Sequence, residues 1–134
     1  LNQSLIRSVW ERANRRCEYC HMPAFAYAGC FHVDHVVARQ HGGATSIENL
    51  ALACLHCNQR KGPNIAGRNP ETGDIVPLFH PRQHDWNDHF EWRGADLIGR
   101  TEIGRTTIQV LAINDLGFRA IRVALREEGI IQWG

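Results

Sequence analysis

Two Cys-x-x-Cys pairs, Cys17–Cys20 and Cys54–Cys57, constrain this chain more than any other feature. A two-residue spacer lets both sulfurs of a knuckle reach one ion, and four thiolates suit the tetrahedral preference of zinc. Five cysteines make a poor disulfide framework, and the fifth, Cys30, is left over. The expected cofactor is therefore one structural Zn²⁺ held by Cys17, Cys20, Cys54 and Cys57. His21, His32 and His56 lie beside the pairs and are read as surface or packing residues. The 33 residues between the pairs exceed a zinc-ribbon spacing, so something must be folded inside the loop that the metal closes.

Length and composition bound the rest. With 134 residues and 43% hydrophobic content, the chain can bury a modest core. No apolar run approaches the roughly 20 residues that span a bilayer. The start, Leu1-Asn2-Gln3-Ser4, carries no signal-peptide pattern. With paired cysteines read as metal ligands, this gives the expectation of a reducing, cytoplasmic setting.

Charge is uneven. Residues 1–70 carry 8 basic and 4 acidic side chains, and residues 71–134 carry 7 and 10. Of the basic residues only Lys61 is a lysine. Arginine grips phosphate with a planar fork of donors, which suits nucleic acid, although a GC-rich genome produces the same bias. Arg12, Arg15, Arg16, Arg39, Arg60 and Lys61 are the candidate phosphate contacts.

The periodicity predicts a helix over 4–15 with Ser4 as its cap and an apolar stripe of Leu5, Ile6, Val9, Trp10 and Ala13. A strand is expected over 31–37, a loop over 40–46, a turn over 47–50 and a strand over 50–53. A helix then starts near His56 and is broken at Gly62-Pro63. Residues 62–76, rich in Gly, Pro and Asn, read as a loop. Beyond them the pattern predicts a hairpin of His89–Trp92 and Asp96–Arg100 about Gly94. Helices follow over 102–114 and 118–128, the last with Ile121, Ala124 and Leu125 inward. Trp86, Phe90 and Trp92 read as core, and His80, His84 and His89 as surface residues rather than a second metal site.

Inside the cysteine loop stand Val33-Asp34-His35-Val36-Val37, Gly42-Gly43, Ile47-Glu48-Asn49-Leu50 and Cys57-Asn58-Gln59-Arg60-Lys61-Gly62. With the two knuckles, this order over residues 5–63 resembles the HNH endonucleases, in the HNN variant with a four-cysteine zinc site. The resemblance implies an α+β, zinc-stabilised ββα-metal (His-Me finger) fold with a C-terminal α/β extension. The chain is accordingly read as a core over 1–70 and an extension over 71–134, a hairpin plus two helices packing on that core. By position, His35 would be the general base, Asp34 and Asn58 the ligands of a catalytic Mg²⁺ or Mn²⁺, and Asn49 the residue that holds the loop orienting His35. The implied reaction is hydrolysis of DNA phosphodiesters by one metal, leaving 5′-phosphate and 3′-hydroxyl ends.

The residues make a parallel case. Imidazole titrates near neutral pH and can take a proton from water. Two oxygen ligands leave most of the shell of a hard cation open to phosphate and water. Asp34 and His35 are neighbours on a strand, so ideal geometry sends them to opposite faces, and converging on one ion requires a distortion at the strand end. Two rival readings stand beside the DNA nuclease: a catalytically idle zinc module binding nucleic acid or protein, and an RNA-cutting or toxin-like nuclease. The C-terminal half is read as a cover for the cup or a surface for a protein partner.

Overall fold

The computed structural model describes residues 1–131, which divide into two units. Leu1–Ile65 with His80–His84 form the first, and Ala66–Phe79 with the chain from Asp85 onward form the second. The division therefore falls earlier than the expected 70/71 boundary, and five residues of the expected extension belong with the first unit. The end of that extension, residues 132–134, lies outside the described residues.

In the first unit, α1 spans Gln3–Arg12. Its cap is Asn2, whose side chain accepts from Leu5 N at 2.8 Å; Ser4 is already inside the helix. The helix stops short of residue 15 because Asn14 and Arg15 take positive φ. Its stripe buries Val9 against Leu50 and Leu52, flanked by Leu5, Trp10 and Ala13. Strand β1 (Phe31–His35) pairs antiparallel with β2 (Leu50–Cys54), from Phe31 opposite Cys54 to His35 opposite Leu50. Side chains alternate, so Phe31 and Val33 join Leu50 and Leu52 under α1. His32 and Asp34 take the other face, opposite the small Ala53 and Ala51. Helix α2 (Leu55–Lys61) follows β2 directly and packs on both strands. Cys54 Sγ caps it by accepting from Cys57 N, and Gly62 at φ +50° ends it.

In the second unit, β3 (Ala66–Arg68) and β4 (Ile75–Pro77) pair antiparallel inside the stretch read as a loop. Three-residue strands are too short to show a period of two. Gly67 is required there, since a Cβ would lie 2.4 Å from Val110 Cγ2. One helical turn, α3 (Trp86–His89), leads into the expected hairpin of β5 (Phe90–Arg93) and β6 (Asp96–Gly99), turned at Gly94 with φ +61°. Phe90 is buried between Phe79 and Trp86, with ring centroids 5.2 and 5.1 Å away. Helices α4 (Glu102–Leu111) and α5 (Leu116–Glu127) complete the unit.

The inward face of α5 shares only Leu125 with the expected one. Phe118, Arg122 and Leu125 are buried, while Ile121 and Ala124 are exposed. Arg122 is fully buried because its fork has carbonyls to satisfy. It donates to Ala95 O and Ile113 O, both at 2.8 Å, and to Asn114 Oδ1 at 3.0 Å. Its guanidinium also lies over the Trp92 and Phe118 rings.

Candidate functional site

The first knuckle is closed by short bonds. Cys17 N donates to Met22 O and His21 N to Cys17 O, both at 2.9 Å, with His21 at φ 64°. The second knuckle sits where β2 becomes α2. All four sulfurs are buried and lie within 4.8 Å of one another, with Cys20 and Cys54 Sγ 3.7 Å apart. Four sulfurs about 2.3 Å from a tetrahedral zinc stand roughly 3.8 Å apart, so the cluster fits that ion. Burial pushes the Cys20 and Cys57 thiols up, which leaves a cation to offset the cost of ionising them. Cys30 is exposed and lies outside the cluster, as do His21, His32 and His56. Burial pushes His21 down to about 4.

The end of β1 away from Cys54, where His35 pairs with Leu50, carries the second constellation. The register of β1 runs unbroken through His35, so the distortion required to converge Asp34 and His35 is absent. Asp34 turns toward α2, where its Oδ2 lies 3.3 Å from Lys61 Nζ. His35 turns toward the loop after β1, with Nε2 2.8 Å from Thr45 Oγ1. Asp34 Oδ2 is buried and, beyond that ion pair, has no hydrogen-bond donor. Burial raises the Asp34 carboxyl above its ordinary range, with the charge of Lys61 opposing the shift. Asn58 follows Cys57 on α2 and precedes Lys61 by three residues, which puts the two on adjoining parts of one helix face. A carboxylate oxygen and an amide oxygen are both ligand types suited to a hard divalent cation.

Asn49 closes the loop between the strands. Its Oδ1 accepts from Val37 N at 3.0 Å, and its Nδ2 donates to Val37 O and Ala44 O, both at 2.9 Å.

The expected phosphate contacts divide. Arg12 donates to Ile47 O and Leu50 O, tying α1 to the start of β2. Arg15 stacks 5.0 Å over Trp10, and Arg16 reaches His21 O at 3.3 Å. Lys61 is 1% exposed, so it is an internal cation and not a surface contact. Arg39, on a 3-10 turn at Arg39–His41, and Arg60, on α2, are exposed. The Nδ1 atoms of His80 and His84 accept backbone N–H groups, and His89 bonds Thr101.

Residues 17–64 match the family model of the HNH endonucleases. This HNH segment is less than half of the chain and holds both knuckles, β1, β2, α2 and every residue of the strand-end constellation. HNH domains act on nucleic acid, so the family points to nuclease activity and metal binding in this segment. No curated protein and no solved structure matches the chain. No helix among the described residues is long and apolar enough to cross a membrane.

Sequence reasoning missed two contributors and misread the burial of a third. Thr45, the partner of His35, carries no signal in a single sequence. Glu18 accepts from Leu52 N at 2.8 Å and pairs with Arg82, which ties the 80–84 segment to β2; only the fold brings 18, 52 and 82 together. Lys61 was visible as the sole lysine, but its burial was not.

Proposed function

We propose that the chain is a metal-dependent endonuclease that hydrolyses DNA phosphodiesters with one divalent cation, on a ββα-metal core of β1, β2 and α2 stapled by a structural zinc. The observation that supports this reading is the opposed departure of Asp34 and His35 from the end of β1, with Asn58 carried on the same helix as Lys61, which meets Asp34. In-line displacement needs a base and water on one side of the phosphorus and charge stabilisation on the other. Neighbouring residues on a straight strand supply those two sides.

His35 is the general base. In the tautomer whose Nε2–H donates to Thr45, Nδ1 has its lone pair free to take a proton from water. Thr45 fixes the ring, and Asn49 fixes the loop that carries Thr45. Asp34 and Asn58 hold the cation, Mg²⁺ or Mn²⁺. Once bound there, it would polarise the phosphate and stabilise the leaving oxygen. The zinc cluster acts at one remove, since Cys57 anchors the turn of α2 on which Asn58 sits.

Incubating the zinc-loaded protein with supercoiled plasmid and, in parallel, with RNA, each with Mg²⁺, Mn²⁺ or EDTA, tests the reading. Cleavage with either cation, abolished by EDTA and leaving 5′-phosphate ends, is expected. Cleavage of RNA alone, or no cleavage with any cation, would overturn it.

A further inference from the structure

Lys61 is an unusual residue to find at 1% exposure, because a buried ammonium must be matched by nearby negative charge. Its Nζ meets two oxygens at the catalytic strand end: Asp34 Oδ2 at 3.3 Å and His35 O at 3.4 Å. Asp34 Oδ2 is the same buried oxygen that lacks a hydrogen-bond donor and that the proposed function assigns to the divalent cation. One carboxylate is therefore claimed by two cations.

We propose that Lys61 is a resident counter-cation that competes with the divalent metal for Asp34, so that it sets the metal affinity of the site as well as positioning the carboxylate. This rests on the proposed function. A divalent ion about 2.1 Å from that oxygen would stand no farther than roughly 5.4 Å from Nζ, given the 3.3 Å ion pair. At that separation, beside a buried carboxylate oxygen, a charge of +2 and a charge of +1 repel. Metal binding must therefore displace the ammonium from Asp34 or bear its repulsion. Before metal binds, Lys61 neutralises the buried carboxylate and holds the end of β1 through His35 O. A nucleic-acid phosphate entering the site adds negative charge that favours both cations together, so metal and substrate should load cooperatively.

Because Lys61 is the only lysine, ¹⁵N-lysine labelling gives a side-chain Nζ resonance that needs no assignment. Titration of the zinc-loaded full chain with Mg²⁺ should move that resonance to saturation, and Asp34→Asn should leave it still. In a parallel Mn²⁺ titration followed by electron paramagnetic resonance without nucleic acid, Lys61→Met should bind Mn²⁺ on the order of 10-fold more tightly than the wild type. A purely structural lysine would give weaker binding on removal. If Lys61→Met does not fold, the wild-type resonance decides alone. Asp34-dependent metal binding with a stationary resonance, or with unchanged or weaker affinity in Lys61→Met, would overturn the competition and leave the nuclease reading standing. No Asp34-dependent binding in any of these proteins would overturn both.

Discussion

Asn49 holds both backbone polar groups of Val37, accepting from its N–H at 3.0 Å and donating to its carbonyl at 2.9 Å. Together with Val36 N donating to Asn49 O at 2.9 Å, this carries strand-like pairing two residues past the end of β1. Gly43 lies under the same clamp, where a Cβ would stand 1.7 Å from Val37 O. Asn49→Ala leaves the Val37 groups unmatched and should cost about 1–3 kcal/mol of stability. It should also slow cleavage, by less than the loss of His35 does. Denaturant titration paired with cleavage rates checks both; a rate loss exceeding that of His35→Ala would reverse the two assignments.

Metal content reads the cysteine cluster directly. The purified protein should carry one zinc per chain. Replacing Cys17, Cys20, Cys54 or Cys57 by Ser should release it and destabilise the fold by several kcal/mol, on the order expected where a metal is part of the fold. Cys30→Ser should change neither, since Cys30 is exposed and apart from the cluster. Folded protein without zinc, or zinc lost from Cys30→Ser, would refute the ligand set.

The HNH segment was legible because its signals are local in sequence. Cysteine spacing, the Asp34-His35 pair, Gly42-Gly43 and the Gly62 stop each announce themselves within a few residues. What escaped depends on distance or on exceptions to burial rules. Ser4 looked like the cap of α1, yet Asn2 takes the role, a shift of two residues that both side-chain types permit. The β3–β4 pair is held by α4 packing over Gly67, and nothing within residues 66–77 encodes that contact. Arg122 and Lys61 defeated the binary pattern outright. Each is a charged residue buried because particular acceptors, three oxygens for Arg122 and Asp34 with His35 O for Lys61, await it.

The Asp96–Arg119 pair gives a pH test in the second unit. Arg119 Nε donates to Asp96 Oδ1 at 2.6 Å, and that bond holds the carboxyl below its ordinary range. A depressed folded-state value stabilises above the unfolded pKa near 4, and the contribution fades as pH falls through the folded value. Both side chains are 40% exposed, so the effect should be small and sensitive to salt. Asp96→Asn should unfold slightly more easily than the wild type at pH 7, and the difference should close toward pH 2. A gap that persists or widens in acid would contradict the pairing.

Salt dependence separates the arginines. Nucleic-acid affinity should fall steeply between about 50 and 200 mM salt. Arg39→Gln and Arg60→Gln should each flatten that slope by roughly one unit, because both residues are exposed on the HNH segment. Arg12→Gln should instead lower stability, since it removes the tie from α1 to Ile47 O and Leu50 O. A loss of slope in Arg12→Gln at unchanged stability would move the contact surface to α1.

The central claim is that His35 takes the proton from the attacking water, and its most direct test is the cleavage rate of His35→Ala with added imidazole. With zinc content, fold and DNA affinity matched to the wild type, the variant should lose about 10²–10⁴-fold in rate. Exogenous imidazole should restore part of that loss by filling the space that the side chain leaves. Wild-type activity in His35→Ala would contradict the account and assign the base to another residue.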